Sequence, residues 1–130
     1  MSRVLFIRHA ETDMAGRFCG HSDPDVNAKG RTQLTELAHL LSAEAIDAVY
    51  SSDLRRAKST AQAIVAARNI PLSLRPALRE IDFGQWEGLS WEQIEERDPV
   101  TRASGWRAIP TFPRPRERAS RPLRNVSFKK

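Results

Sequence analysis

"VLFIRHAETD", residues 4–13, is the stretch from which the fold is read. Val4, Leu5, Phe6 and Ile7 form a short continuous apolar run. That is the pattern of a strand buried on both faces, and it predicts a first strand over residues 3–7. The run stops at Arg8-His9, and Glu11-Thr12 follows. A strand that ends on a histidine set between a cation and a carboxylate delivers a titratable group to the end of a sheet.

Working outward, a polar loop with Gly16, Gly20 and Pro24 leads to Asn27, a candidate N-cap. Leu34, Leu37, Ala38 and Leu41 recur at helical spacing and predict an amphipathic helix over 28–43. Ile46 to Tyr50 is a second apolar run. Ser51, Ser52 and Asp53 are cap candidates for a second helix with the stripe Leu54, Ala57, Ala61, Ile64 and Val65. Pro71 restarts the chain into a short strand over 72–75. A loop rich in acids and aromatics runs from Leu78 to Gly88, and Ser90 opens a third helix with Glu92 and Gln93 in its first turn. Strand, helix, strand, helix, strand predicts an α/β fold with a mostly parallel sheet and right-handed crossovers. Ligands bind such sheets beyond the carboxyl ends of the strands. Arg8-His9 and Ser51-Ser52 both fall at those ends and are expected to face one crevice.

Composition divides the chain near residue 98. Its 130 residues carry a net charge of +5, yet residues 1–98 hold 12 Lys and Arg against 15 Asp and Glu. Residues 99–130 hold 9 basic residues, one acid (Glu117) and five of the eight prolines. The basic character therefore belongs to the tail, and periodicity fails there too. A segment so poor in apolar residues is expected to be irregular or disordered. Its Arg/Pro/Ser bias is also what out-of-frame translation of a GC-rich gene produces, which predicts a truncated or frameshifted chain. Cys19 is the only cysteine, so neither an internal disulfide nor a cysteine metal cage is expected. No apolar run is long enough for a membrane helix, and a cytoplasmic location is expected.

Three groups carry candidate chemistry. His9, beside Arg8, offers one ring nitrogen as a nucleophile if an acceptor holds the other as N–H. Among arginines, the fitting electrophile is anionic, meaning a phosphoryl group. An Arg-His pair by itself is more often a hydrogen-bonded structural histidine. Arg55 and Arg56 start the second helix, where a cation opposes the helix dipole; a bound anion would relieve the conflict. A solvated pair is the competing reading and suits Arg55 well. Glu80, among Ile81, Phe83 and Trp86, is a candidate proton donor with a raised pKa, or else a loop carboxylate paired with Arg75 or Arg79.

"RHAET", "GRFCGHSDPDVNAKG", "SSDLRRAKSTA" and "LREIDFGQWEG" occur in this order across residues 4 to about 98. Together these four blocks resemble the histidine phosphatase superfamily, the phosphoglycerate-mutase-like proteins. The resemblance implies a three-layer α/β/α fold, with residues 1–98 as the N-terminal part of the domain and the fold incomplete at the C-terminus. It implies His9 as the phosphoryl acceptor, Arg8 and Arg56 as the phosphate clamp, and Glu80 as the acid for the leaving alcohol. Thr12 and Arg17 would meet the substrate, Glu11 would support the pocket, and Gly84, Glu87 and Gly88 would shape their loop. His21, in the mouth loop, is a further substrate-binding candidate.

The implied reaction is phosphomonoester hydrolysis through phosphohistidine, without metal or other cofactor, on a small phosphorylated metabolite. The block "FCGHSDP" leans toward phosphatases of the α-ribazole-phosphate type. Mutase-type phosphoryl transfer and a non-catalytic phosphate-binding remnant are the alternatives. Neither a membrane nor nucleic acid is the expected partner.

The chain departs from the family pattern in three ways. Ala10 stands where glycine is usual, and an asparagine is missing after Glu11-Thr12. The family's second catalytic histidine is also absent: besides His9, only His21 and His39 occur, both before Glu80. Losing one preorganised donor of that kind costs roughly 10²- to 10³-fold in rate. The strand that would carry it pairs beside the first strand in this family, so an exposed apolar edge and self-association through it are expected.

Overall fold

The computed structural model describes residues 2–97. The elements are α1 (Ala28–Leu40), β1 (Val49–Ser51), α2 (Arg55–Val65), β2 (Leu72–Leu74) and α3 (Trp91–Arg97), with single 3₁₀ turns at Pro76–Leu78 and Gly84–Trp86. β1 and β2 pair in parallel, with Val49 opposite Leu72, Tyr50 opposite Ser73 and Ser51 opposite Leu74. α2 is the crossover between them. It packs on both strands and on α1. The fold is α/β, as the element order predicts.

Asn27 caps α1 as expected: its backbone is extended and its side chain accepts from the Gly30 N–H at 2.8 Å. The helix ends three residues short of the predicted boundary. Beyond Leu40 the chain turns, and Arg68, just past α2, donates to the Leu41 and Glu44 carbonyls of that turn. The stripe of α2 is buried at Leu54, Ala61 and Ile64. Ser90 and Gln93 form a reciprocal capping box at α3: the Gln93 N–H meets Ser90 Oγ, and the Ser90 N–H meets Gln93 Oε1.

The start of α2 departs from expectation. None of Ser51, Ser52 and Asp53 caps it. The N-cap is Leu54, which has no side chain to offer. Asp23 reaches across from the mouth loop instead and accepts the Arg55 N–H at 2.6 Å. Asp25 pairs with the Arg55 guanidinium at 2.9 Å. Two of the protein's own carboxylates thus face the helix start, both on Arg55.

The predicted first strand is the larger difference. Residues 3–7 form no hydrogen-bonded strand among the described residues. Val4 is 71% exposed and Phe6 95%. A strand exists only where another edge accepts its ladder, and this run pairs with neither β1 nor β2. Its apolar character was legible; its pairing was not a local property.

A separate apolar cluster holds the later loop. Trp86 and Ile94 are buried, with Phe18, Phe83 and Leu89 packed against them. Phe18 meets Phe83 and Trp86 edge-on, at centroid distances of 5.0 and 5.9 Å. This cluster joins the loop at Arg17–Ser22 to the segment 80–94. The expected tail, 99–130, lies outside the described residues.

Candidate active site

His9 sits at the end of the N-terminal run, half-buried. Two contacts fix the backbone after it. The buried Ala10 N–H donates to Thr60 Oγ1 on α2 at 3.0 Å, and the Glu11 N–H donates to Gln33 on α1 at 2.8 Å. Thr60 in turn donates to the Arg56 carbonyl at 2.8 Å. His9 is thus anchored to the same helical turn that carries Arg56. Ala10 has a negative φ, so the missing glycine imposes no backbone strain. Gly30 is required instead, because a Cβ there would lie 2.2 Å from the Glu11 carbonyl oxygen.

The His9 ring is oriented by its own loop. Nδ1 lies 2.8 Å from the Ala10 carbonyl oxygen. A carbonyl only accepts, so Nδ1 carries the proton and Nε2 keeps its lone pair. Burial pushes the His9 pKa below its ordinary value. The Arg56 and Arg8 charges push the same way, against the Ala10 hydrogen bond and the Glu80 charge. The imidazole is therefore neutral at pH 7.

Arg8 and Arg56 differ. Arg8 is exposed and acts on His9 through its charge. Arg56 is 2% exposed. It donates from Nη1 to the Ser22 carbonyl at 2.8 Å, and from Nη2 to those of Gly20 at 2.8 Å and Cys19 at 3.1 Å. Among the described residues, these carbonyls take three of its five N–H donors.

The remaining sequence candidates divide. Glu80 acts on His9 through its charge, but the apolar cage foreseen around it is absent. Glu80 is exposed, its Oε1 accepts the Ile81 N–H, and Ile81 is 47% exposed. Neither foreseen arginine holds it in an ion pair, and Arg79 pairs with Asp53. Thr12 is buried; its hydroxyl accepts the Met14 N–H, and it bridges to Val26. Arg17 donates to the Gly88 carbonyl and Gln93. His21 donates from Nε2 to the Glu80 carbonyl at 3.0 Å, while Nδ1 lies 3.7 Å from Asp82. Glu11 pairs with Lys29 at 2.9 Å and accepts from Asn27 Nδ2. His39 lies in the last turn of α1, exposed. No group of three or more His, Cys, Asp and Glu side chains among the described residues could hold a metal ion.

Two organising residues were missed by sequence reasoning. Thr60 was legible only as a motif letter. Glu87 was read as loop-shaping, yet its carboxylate accepts from the N–H groups of Gly20, His21, Ser22 and Phe83 and from the Ser22 hydroxyl. Burial alone would push its pKa up, but these donors outweigh burial and hold it below the ordinary value. Gly20 must be glycine, because a Cβ would lie 2.0 Å from the Ile81 carbonyl oxygen.

On this α/β chain, His9 lies within reach of the charges of Arg56, Arg8 and Glu80, and comparison with known proteins shows which family shares this sequence and fold. The chain belongs to the histidine phosphatase superfamily (branch 1), whose sequence pattern it matches over residues 4–126. It is 38% identical over 101 residues to phosphoserine phosphatase 1 of Hydrogenobacter thermophilus, covering 76% of this chain and 48% of that protein. It is 34% identical over 116 residues to the adenosylcobalamin/alpha-ribazole phosphatase of Escherichia coli, covering 84% and 57%. Its fold is similar to the alpha-ribazole phosphatase of Shigella flexneri, with TM-score 0.69 and 30% identity over 79% of this chain and 54% of that one. A mycobacterial glucosyl-3-phosphoglycerate phosphatase complexed with VO3 gives TM-score 0.67 and 33% identity over 74% and 49%. The chain spans about half the length of the curated relatives it matches. The match reaches past the composition change near residue 98.

Proposed function

We infer that this chain handles phosphomonoesters, with His9 as the phosphoryl acceptor. The observation that carries the reading is the His9 ring: Nδ1–H is spent on the Ala10 carbonyl, burial and two cations keep the ring neutral, and Nε2 is left as the nucleophile. In the first step Nε2 attacks phosphorus and the ester P–O bond breaks. The departing alkoxide takes a proton from the carboxylic acid form of Glu80, the acidic side chain whose charge reaches His9. In the second step water attacks phosphorus, the N–P bond breaks, and Glu80 takes the water proton as phosphate leaves. Arg8 and Arg56, whose charges both act on His9, offset charge on the phosphoryl oxygens. The substrate class is a small phosphorylated metabolite. The names of the relatives, which include alpha-ribazole and phosphoserine phosphatases, support this class.

Phosphate binding without turnover is the second reading; the solvent exposure of Glu80, the proton donor of the first step, favours it. The test is incubation with a labelled aryl phosphate and an alkaline quench, since the P–N bond is acid-labile. Label on the wild type that is lost in His9→Ala, together with release of free phosphate, supports the reading. Label retained in His9→Ala overturns it. Phosphate binding with neither label nor release selects the second reading.

A further inference from the structure

The loop Cys19–Ser22 is held from both sides by charges of opposite sign. The peptide unit joining Cys19 to Gly20 accepts from Arg56 Nη2 at its carbonyl (3.1 Å) and donates to Glu87 at its N–H (2.9 Å). The next unit, joining Gly20 to His21, does the same: its carbonyl accepts from Arg56 Nη2 at 2.8 Å, and its N–H donates to Glu87 Oε1 at 3.0 Å. Two successive peptide dipoles thus lie in line between a guanidinium and a carboxylate. Each hydrogen bond to a charged group polarises the peptide and strengthens the one at its far end. The arrangement is a salt bridge transmitted through backbone. It explains how a guanidinium that is 2% exposed is tolerated with no carboxylate in direct contact, since a buried charge needs a partner. A Cβ at Gly20 would also meet Glu87 Oε1 at 2.5 Å.

We propose that Glu87 is a positioning residue for Arg56: through these two peptide units it fixes where the Arg56 charge sits beside His9, and so sets the affinity of the site for a phosphoryl oxyanion. This rests on the reading of Arg56 as an oxyanion ligand. Glu87 touches no substrate in this scheme. It acts through the loop, and its influence disappears when Arg56 is absent. A carboxylate that merely stiffened the loop would act whether or not Arg56 were present.

The test is a double-substitution cycle on the full chain, with two readouts: binding of inorganic phosphate by calorimetry, and titration of the His9 ring by NMR without ligand. The charged groups acting on His9 are Arg56, Arg8 and Glu80. Arg56→Gln is expected to weaken phosphate binding by about tenfold or more and to raise the His9 titration midpoint. Glu87→Gln is expected to move both readouts the same way, and to add nothing in the Arg56→Gln background. Ser22→Ala removes the hydroxyl bond to Glu87 (2.6 Å) while keeping both peptide bridges, and is expected to leave both readouts unchanged. If Glu87→Gln fails to fold by circular dichroism, Glu87→Asp, which keeps the charge on a shorter arm, is read the same way.

Equal effects of Glu87→Gln with and without Arg56, no effect at all, or an equal effect of Ser22→Ala overturns the proposal. If the wild type does not bind phosphate, the functional reading fails. The ligand-free titration of His9 still decides whether Glu87 positions Arg56.

Discussion

His9 and Glu87 are both shifted below their ordinary pKa values, and the two shifts act on stability in separate pH windows. Folded His9 resists protonation, so above its ordinary value of about 6.5 it costs nothing. As pH falls below that, the unfolded chain takes up a proton that the native state refuses, and stability is lost until the native pKa is passed. Glu87 is the carboxylate case. Its contribution is present above the ordinary glutamate value and is lost as pH falls through the lower native one. Denaturant melts across pH are therefore expected to show two steps of decline. His9→Asn flattens the one near and below pH 6.5, and Glu87→Gln flattens the more acid one. A profile unchanged in His9→Asn removes His9 as a source of the first step. His9 was legible at this scale because its neighbours in sequence, Arg8 and Ala10, supply part of its environment. Glu87 was not, because all of its donors but Phe83 lie 65 to 67 residues earlier in the chain.

At the scale of elements, the helix starts divide into local and distant caps. Asn27 and Ser90 cap from the adjacent residue, and both were readable from spacing. α2 is capped by Asp23, 32 residues away, so no local pattern names it. Asn27→Ala is expected to cost about 1 kcal/mol by chemical denaturation, the usual loss for such a cap. Asp23→Ala is expected to cost at least as much. It removes a carboxylate from a helix start that carries two arginines and has no acid in its first turn. A loss at Asp23 well below that at Asn27 would mean that Asp25 and water satisfy the α2 start unaided. The strand 3–7 fails at this scale too, for the opposite reason. Its local pattern was strong, but a ladder needs a second edge.

For the molecule as a whole, the surface at Val4–Ile7 is the unusual feature. Four apolar residues in sequence are exposed, with Phe6 almost fully so. Contiguous exposed apolar surface marks an interaction site or an aggregation liability. Phe6→Ser is expected to leave the melting midpoint within about 0.5 kcal/mol of wild type, since a solvated side chain contributes little to folding. It is also expected to reduce concentration-dependent association measured by light scattering. Unchanged association would exclude this run as the contact. No helix among the described residues is long and apolar enough to cross a membrane.

The sequence by itself determined the two long helices, the parallel pair β1–β2, the placement of His9 at a chain segment leaving an apolar run, and family membership through four ordered blocks. These are properties of neighbours along the chain: period, cap chemistry and motif order. Tertiary structure alone decided that Asp23 caps α2, that Thr12 is buried, and that Glu80 is exposed. It alone also revealed that Glu87 and Arg56 meet through the backbone of Cys19–His21. Each depends on which distant donor faces which acceptor, and local sequence spacing carries no record of that pairing.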